Sequence, residues 1–212
     1  IIAPRMVVYA RPNLGTHSTS DEILDAVRDA KQSKADGLKI GGLDRDQLEV
    51  LLEEARTRGL PTTTHIGVEE MTARDYIELG VRSTEHFYSI PDAALDGIQD
   101  FPPDMNYNNE LHRFARAGEL FAQATPEKLK QVVESMVAND VAWSPTLSIY
   151  EANRDVIRAR TLPWFDDYLY PSMEAFWKPS LENHGSYFIG WTNTQQVRWK
   201  QNYRIWMDTL RH

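Results

Sequence analysis

Apolar runs and helical stripes alternate along the first half of the chain. Residues 6–10 are apolar throughout, which is typical of a buried parallel strand. Apolar positions three and four residues apart then predict a helix that begins after Thr19 and another between Asp44 and Gly59. A glutamate or glutamine follows Thr19 and Asp44 at the spacing of a capping box. The pattern therefore predicts strands and helices in regular alternation.

Three further predicted strands end on residues that can take part in chemistry, namely Lys39, His65 and His86. Spacings of 26 and 21 residues separate them, and a short helix over residues 72–79 lies between the last two. A helix over residues 125–139 and a strand over residues 141–147 continue the order. This βα order predicts an α/β fold that is part of a (β/α)₈ TIM-type barrel, because a closed barrel typically needs about 250 residues.

Two aromatic-rich segments interrupt the alternation. Residues 91–124 carry many Asp, Asn, Pro and aromatic residues and are expected to form a long functional loop or lid. Residues 150–190 are aromatic-rich with weak periodicity. A closing helix over residues 194–211 carries Trp199, Tyr203 and Trp206, which we expect to pack against the barrel wall. The prediction is one catalytic barrel domain over residues 1–212.

Composition narrows the classes of partner and compartment. The formal net charge of −8, without a basic stripe, argues against nucleic-acid binding. The absence of cysteine excludes disulfides and thiolate metal ligands, and no apolar run reaches the roughly 20 residues of a membrane span. Cytoplasm is the default expectation, and export stays open because the chain does not begin with Met. A homo-oligomer is compatible with the sequence.

The strand ends predict a metal centre. Side chains at the C-terminal ends of parallel barrel strands converge on one site, so Lys39, His65 and His86 are expected to lie together. Each residue alone has an ordinary explanation, as a surface lysine or a hydrogen-bonded histidine, whereas their joint order and spacing favour metal binding. Weaker candidates for orienting a ligand or contacting substrate are Glu85, His17 and Tyr150.

The same stretches give the chain a family resemblance. The sequence resembles the metal-dependent amidohydrolase superfamily, in its imidazolonepropionase-like and prolidase-like branch. The matching stretches are residues 35–40, 60–65, 80–86 and 144–147, and residues 4–7 look like the third barrel strand of that branch. The resemblance covers residues 3–150 best. It implies that the chain runs from strand three to strand seven and is a fragment of a longer protein.

The resemblance also implies a reaction. In this family the lysine is carbamylated by carbon dioxide and bridges two divalent metals, so Lys39 would be the catalytic bridging ligand. His65 and His86 would hold one metal, and zinc is the metal implied for both positions. The second metal of the family needs a His-x-His pair and a strand-eight aspartate, which have no counterpart here. The fragment alone is therefore expected to be inactive.

The implied substrates are small-molecule or peptide-like compounds with an amide, cyclic amide or peptide-like C–N bond. Metal-activated hydroxide would hydrolyse that bond, and the same centre allows ester or phosphotriester hydrolysis. Two alternatives stay open. Lys39 can instead form a Schiff base with a carbonyl substrate in a metal-free barrel enzyme. The chain can also be a non-catalytic barrel relic that acts as a binding module.

Overall fold

A computed structural model gives the structure of the chain. It describes residues 4–65, 71–97, 103–104, 109–154, 161–164, 167, 170–172, 178–180 and 188–212. The chain divides into two compact units. We call residues 1–98 with 126–145 the sheet unit and residues 99–125 with 146–212 the helical unit.

The sheet unit is built from a parallel sheet of five strands in sequential order. The strands are β1 (Tyr9–Ala10), β2 (Gly37–Ile40), β3 (Thr62–His65), β4 (Ser83–Glu85) and β5 (Ala142–Ser144). The helices among the described residues include α1 (Ser20–Gln32), α2 (Arg45–Thr57), α3 (Ala73–Leu79), α4 (Glu110–Gln123), α5 (Pro126–Ala138), α6 (Leu147–Arg154) and α7 (Asn193–Thr209), and a 3₁₀ turn covers Asp92–Ala94. The predicted α/β class is confirmed.

Strand register divides the side chains of the sheet between two faces, because successive side chains of a strand point to opposite sides. The covered face includes Leu38, Ile40, Thr64 and Thr84, each at most 2% exposed. The polar face consists of Lys39, Thr63, His65 and Glu85. Right-handed connections between sequential parallel strands place their helices on one side of a sheet. The buried apolar stripes of α1 and α2 supply the core on that side.

The predicted helix caps are present. The Thr19 backbone N–H donates to Glu22 Oε2 at 2.8 Å, and the Glu22 N–H donates to Thr19 Oγ1 at 3.3 Å. Gln47 accepts from the Asp44 backbone N–H at 3.0 Å. The helix predicted to stop at Gly80 ends there with Gly80 in the left-handed region, at φ 81°. These contacts fix where α1 and α2 begin and where the chain leaves α3 for the next strand.

The first strand differs from its prediction. Only Tyr9–Ala10 form β1, and Met6, Val7 and Val8 are 75%, 65% and 53% exposed, so the prediction of a buried strand over residues 6–10 is wrong. The physical reason is position, since β1 pairs only with β2 and is an edge of the described sheet. Val8 instead bonds to Asp36, whose backbone N–H donates to the Val8 carbonyl and whose carboxylate accepts from the Val8 N–H, each at 2.8 Å.

A close approach of two strands explains the glycine that begins β2. Gly37 pairs with Tyr9, and a Cβ on Gly37 would lie 2.5 Å from the Tyr9 ring and 2.7 Å from the Pro61 carbonyl oxygen. No larger residue can stand there without moving a neighbouring strand. Gly37 therefore sets the register that carries Lys39 to its place on β2.

The helical unit has an aromatic core. α7 packs on α4 and α6, and its buried rings meet rings from both helices. This core contains Phe114, Phe121, Tyr150, Trp199 and Trp206. The α7 aromatics pack as predicted, with α4 and α6 as their partners in the described structure. Packing against a barrel wall stays a prediction. Val197, at 55% exposure, lies outside this core.

The two predicted insertions contain regular structure. α4 and the 3₁₀ turn lie within residues 91–124, so the prediction of one long loop there is wrong. Much of the predicted 150–190 segment lies outside the described residues. Among the helices of the described part of the chain, none combines the length and apolar character needed to cross a membrane.

Candidate metal centre

Lys39, His65 and Glu85 lie on the polar face of three consecutive strands. Lys39 pairs in register with Thr63, and His65, the last residue of β3, pairs with Glu85. Thr63 and His65 are two positions apart and share a face, so Lys39 and Glu85 share it as well. The predicted convergence of side chains at these strand ends is thus explained by register.

Glu85 lies between the lysine and one of the histidines. Lys39 Nζ is 2.5 Å from Glu85 Oε2, and the same oxygen is 3.7 Å from His86 Nε2. The side chains of Lys39, Glu85 and His86 are 32%, 21% and 18% exposed. The first contact is a charge-assisted hydrogen bond, whereas the second is longer than a hydrogen bond. Glu85, one of the weaker candidates in the sequence, is therefore the direct partner of Lys39.

The two histidines are in ring contact. The centroids of the His65 and His86 imidazoles are 4.6 Å apart and meet edge to face. Tyr88, which is 2% exposed, packs against both rings, with centroid distances of 5.5 and 5.7 Å. Nothing in the sequence pattern singled out Tyr88, because it reads as one more apolar residue after the strand. It gives the two imidazoles a buried wall.

The backbone of His86 has an unusual conformation that β5 holds in place. His86 has φ 62°, in the left-handed region that few residues other than glycine adopt. Its N–H donates to the Ser144 carbonyl at 2.9 Å. Its carbonyl accepts from the indole N–H of Trp143. Backbone strain of this kind costs on the order of 1–3 kcal/mol and is concentrated at functional sites.

The donor set suits a divalent metal in part. Two neutral imidazoles are good ligands for zinc, and the two rings are in edge-to-face contact here. Within the described residues, no group of three or more His, Cys, Asp or Glu is arranged to hold a metal ion. A carbamate on Lys39 would add the oxygen donor that the unmodified lysine lacks. The described residues as they stand therefore form no metal site, and a metal here would need that further oxygen donor.

The structure gives the surroundings of the other two predicted residues, His17 and Tyr150. His17 is exposed in the turn before α1, where its ring lies beside Gly15. Tyr150 is 3% exposed in the helical unit, with its ring against Phe114, Trp199 and Trp206. These surroundings give Tyr150 a packing role. A role in substrate contact for either residue stays a prediction.

A pocket of about 250 Å³ lies at the opposite ends of the strands from the histidines. Its lining includes Pro61 and Thr62 at the start of β3 and Arg82 just before β4. Leu52 and Leu60 contribute apolar surface. None of the predicted site residues lines this pocket.

Known proteins add no assignment to this geometry. The comparison of the chain with models of protein families found no match, and the comparison with curated proteins found none either.

Proposed function

We propose that this chain carries part of the active site of a metal-dependent hydrolase that cleaves amide, cyclic amide or peptide-like C–N bonds. The observation that carries the proposal is the contact group of Lys39, Glu85, His65 and His86 at the ends of three consecutive parallel strands. Catalytic groups of parallel barrels occupy this end of the strands.

In this proposal each residue of the group has a separate task. His65 and His86 would hold one divalent metal through ring nitrogens, and their contact with Tyr88 limits the directions in which the rings can turn. Lys39 supplies oxygen ligands after its neutral amine bonds to the carbon of carbon dioxide with loss of a proton. The pair between Lys39 and Glu85 has to open for that step. A metal held there would supply an activated water and polarise the scissile carbonyl.

The proposal extends to the fold and the rest of the site. Sequential parallel order supports an arrangement in which β1 to β5 are strands three to seven of a (β/α)₈ barrel. A binuclear zinc centre also needs a His-x-His pair, which this sequence lacks, and a strand-eight aspartate. We place those ligands outside this sequence, in a longer protein.

Metal content tests the proposal. Purified chain, incubated with zinc and bicarbonate and then freed of unbound metal, is expected to retain zinc. Lys39→Ala should lose most of that zinc, whereas Lys31→Ala, an exposed lysine on α1, should retain it. In a longer protein that contains this chain, Lys39→Ala should lose amide hydrolysis in parallel. Equal zinc in wild type and Lys39→Ala would refute the role of Lys39.

The Lys39–Glu85 contact also favours one second candidate. A carboxylate 2.5 Å from a lysine amine can accept and return protons while the amine forms a Schiff base with a carbonyl substrate. Borohydride reduction in the presence of aldehydes and ketones would trap a covalent adduct on Lys39 if this candidate is correct. An adduct on Lys39 in chain that retains no zinc would replace the hydrolase with the Schiff-base enzyme. The absence of both zinc and adduct would leave a binding module.

A further inference from the structure

We infer that Trp143 is a positioning residue for His86, and that it acts through its indole N–H rather than by lining a substrate pocket. The inference rests on the proposed metal role of His86. Its evidence is the hydrogen bond from Trp143 Nε1 to the His86 carbonyl, which joins β5 to the residue that follows β4.

The conformation of His86 explains why such a bond is needed. Glu85 is the last residue of β4, and His86 leaves the strand at φ 62°. An L-residue held in the left-handed region drifts to an ordinary conformation unless its surroundings hold it there. The conformation matters for the site because it brings the His86 ring to 4.6 Å from that of His65.

β5 holds both backbone groups of His86. The Ser144 backbone carbonyl accepts from the His86 N–H. Because the acceptor belongs to the backbone, any residue at position 144 that leaves the strand in place can provide it. The carbonyl, in contrast, is held by a side chain. Indole nitrogen is a donor only, and phenylalanine, the nearest aromatic in shape, has no donor. The hydrogen bond to the His86 carbonyl therefore depends on tryptophan at position 143, because phenylalanine there could not make it.

The placement of Trp143 supports this role over a direct role in the chemistry. Trp143 pairs in register with Thr84, which is on the covered face and 2% exposed. Lys39, His65 and Glu85 lie on the other face. Trp143 therefore reaches the site through the backbone of His86 and not through the reacting groups.

The first test uses the unaltered chain. Hydrogen exchange of indole N–H groups, followed by NMR, should show Trp143 protected at least about tenfold more than Trp164, whose side chain is 54% exposed. Equal exchange at the two indoles would overturn the inference. This measurement does not depend on whether any variant folds.

The second test compares Trp143→Phe with the matched control Trp164→Phe. Trp143→Phe should change the His86 ring resonances and weaken zinc binding about tenfold, the lower range for residues that orient a ligand. Trp164→Phe should change neither. His86 resonances that stay unchanged in Trp143→Phe would overturn the positioning role. If wild type binds no zinc but the His86 resonances still respond to Trp143→Phe, the metal proposal is refuted and the positioning role stands.

Discussion

The two faces of one short sheet carry different residues, and those residues contribute differently to the core and to the candidate site. Leu38 and Lys39 are neighbours on β2, yet Leu38 is fully buried on the covered face and Lys39 is a third exposed on the polar face. Leu38 belongs to the apolar layer between sheet and helices. Lys39 contacts a carboxylate near two imidazoles. A strand of four residues thus contributes to the core with one side chain and to candidate chemistry with the next.

The difference between the two faces explains why charged groups can gather on this sheet at a moderate cost in folding free energy. The hydrophobic effect that stabilises the sheet unit comes from the covered face, which leaves the polar face free to gather charged groups. Those groups are also partly exposed, so the penalty for burying their charges is reduced. Stability and candidate chemistry are therefore expected to separate by face.

Replacement of Leu38 by alanine should give the largest change in stability. Leu38 is 0% exposed, and deletion of buried leucine atoms typically costs about 2–5 kcal/mol. Lys39→Ala, one residue further along, should cost less than about 1 kcal/mol, because it removes a partly exposed ion pair. Urea unfolding of both variants measures the difference. A Lys39→Ala variant as unstable as Leu38→Ala would break the separation by face.

Asp75, a carboxylate away from the polar face, should affect only stability, and its replacement should change stability less than that of Leu38. Asp75 accepts from the Thr72 N–H at 2.8 Å and contacts Arg45. Burial alone would raise the pKa of the Asp75 carboxyl, but the hydrogen bonds from Thr72 and Arg45 together hold that pKa below its usual range. The folded state therefore favours the ionised form of Asp75.

Asp75→Asn should destabilise the chain by about 1 kcal/mol at pH 7, as expected for a weakened helix cap. A lowered pKa in the folded state means that the stabilisation is present above the unfolded pKa of about 3.9 and is lost as pH falls. The stability gap between wild type and Asp75→Asn should therefore narrow below about pH 4. Thermal unfolding from pH 3 to pH 7 measures it. A stability gap that stays constant with pH would contradict the role of the ionised Asp75 carboxylate. As a control for the polar face, Asp75→Asn should retain zinc binding.

The sequence predicts the alternation and the strand ends well because both follow from periodicity. Capping residues such as Thr19 and Asp44 mark helix starts locally, and parallel strands carry their C-terminal residues to one edge. The exposure of Val8 was not predictable from its own segment, because it depends on which strand lies beyond β1. Phe114 and Phe121 are seven residues apart, so a helical signal existed in the segment that was predicted as a loop.

The contacts within the site were less predictable. The partnership of Lys39 with Glu85 depends on register and rotamers across two strand gaps. The left-handed conformation of His86 has no signature in the residue type. Trp143 reaches His86 from 57 positions away in the chain, a separation that no local pattern records.

Zinc affinity of histidine variants tests the central claim most directly, since the claim is that His65 and His86 bind one metal. Competition with a chromophoric chelator would compare wild type with His65→Ala and His86→Asn, asparagine being chosen because it tolerates a positive φ. His212→Ala, at an exposed position, is the control. Each site variant should lose at least about 100-fold in affinity, more than residues that only orient a ligand, and the control should lose none. Wild-type affinity in both site variants would contradict the claim.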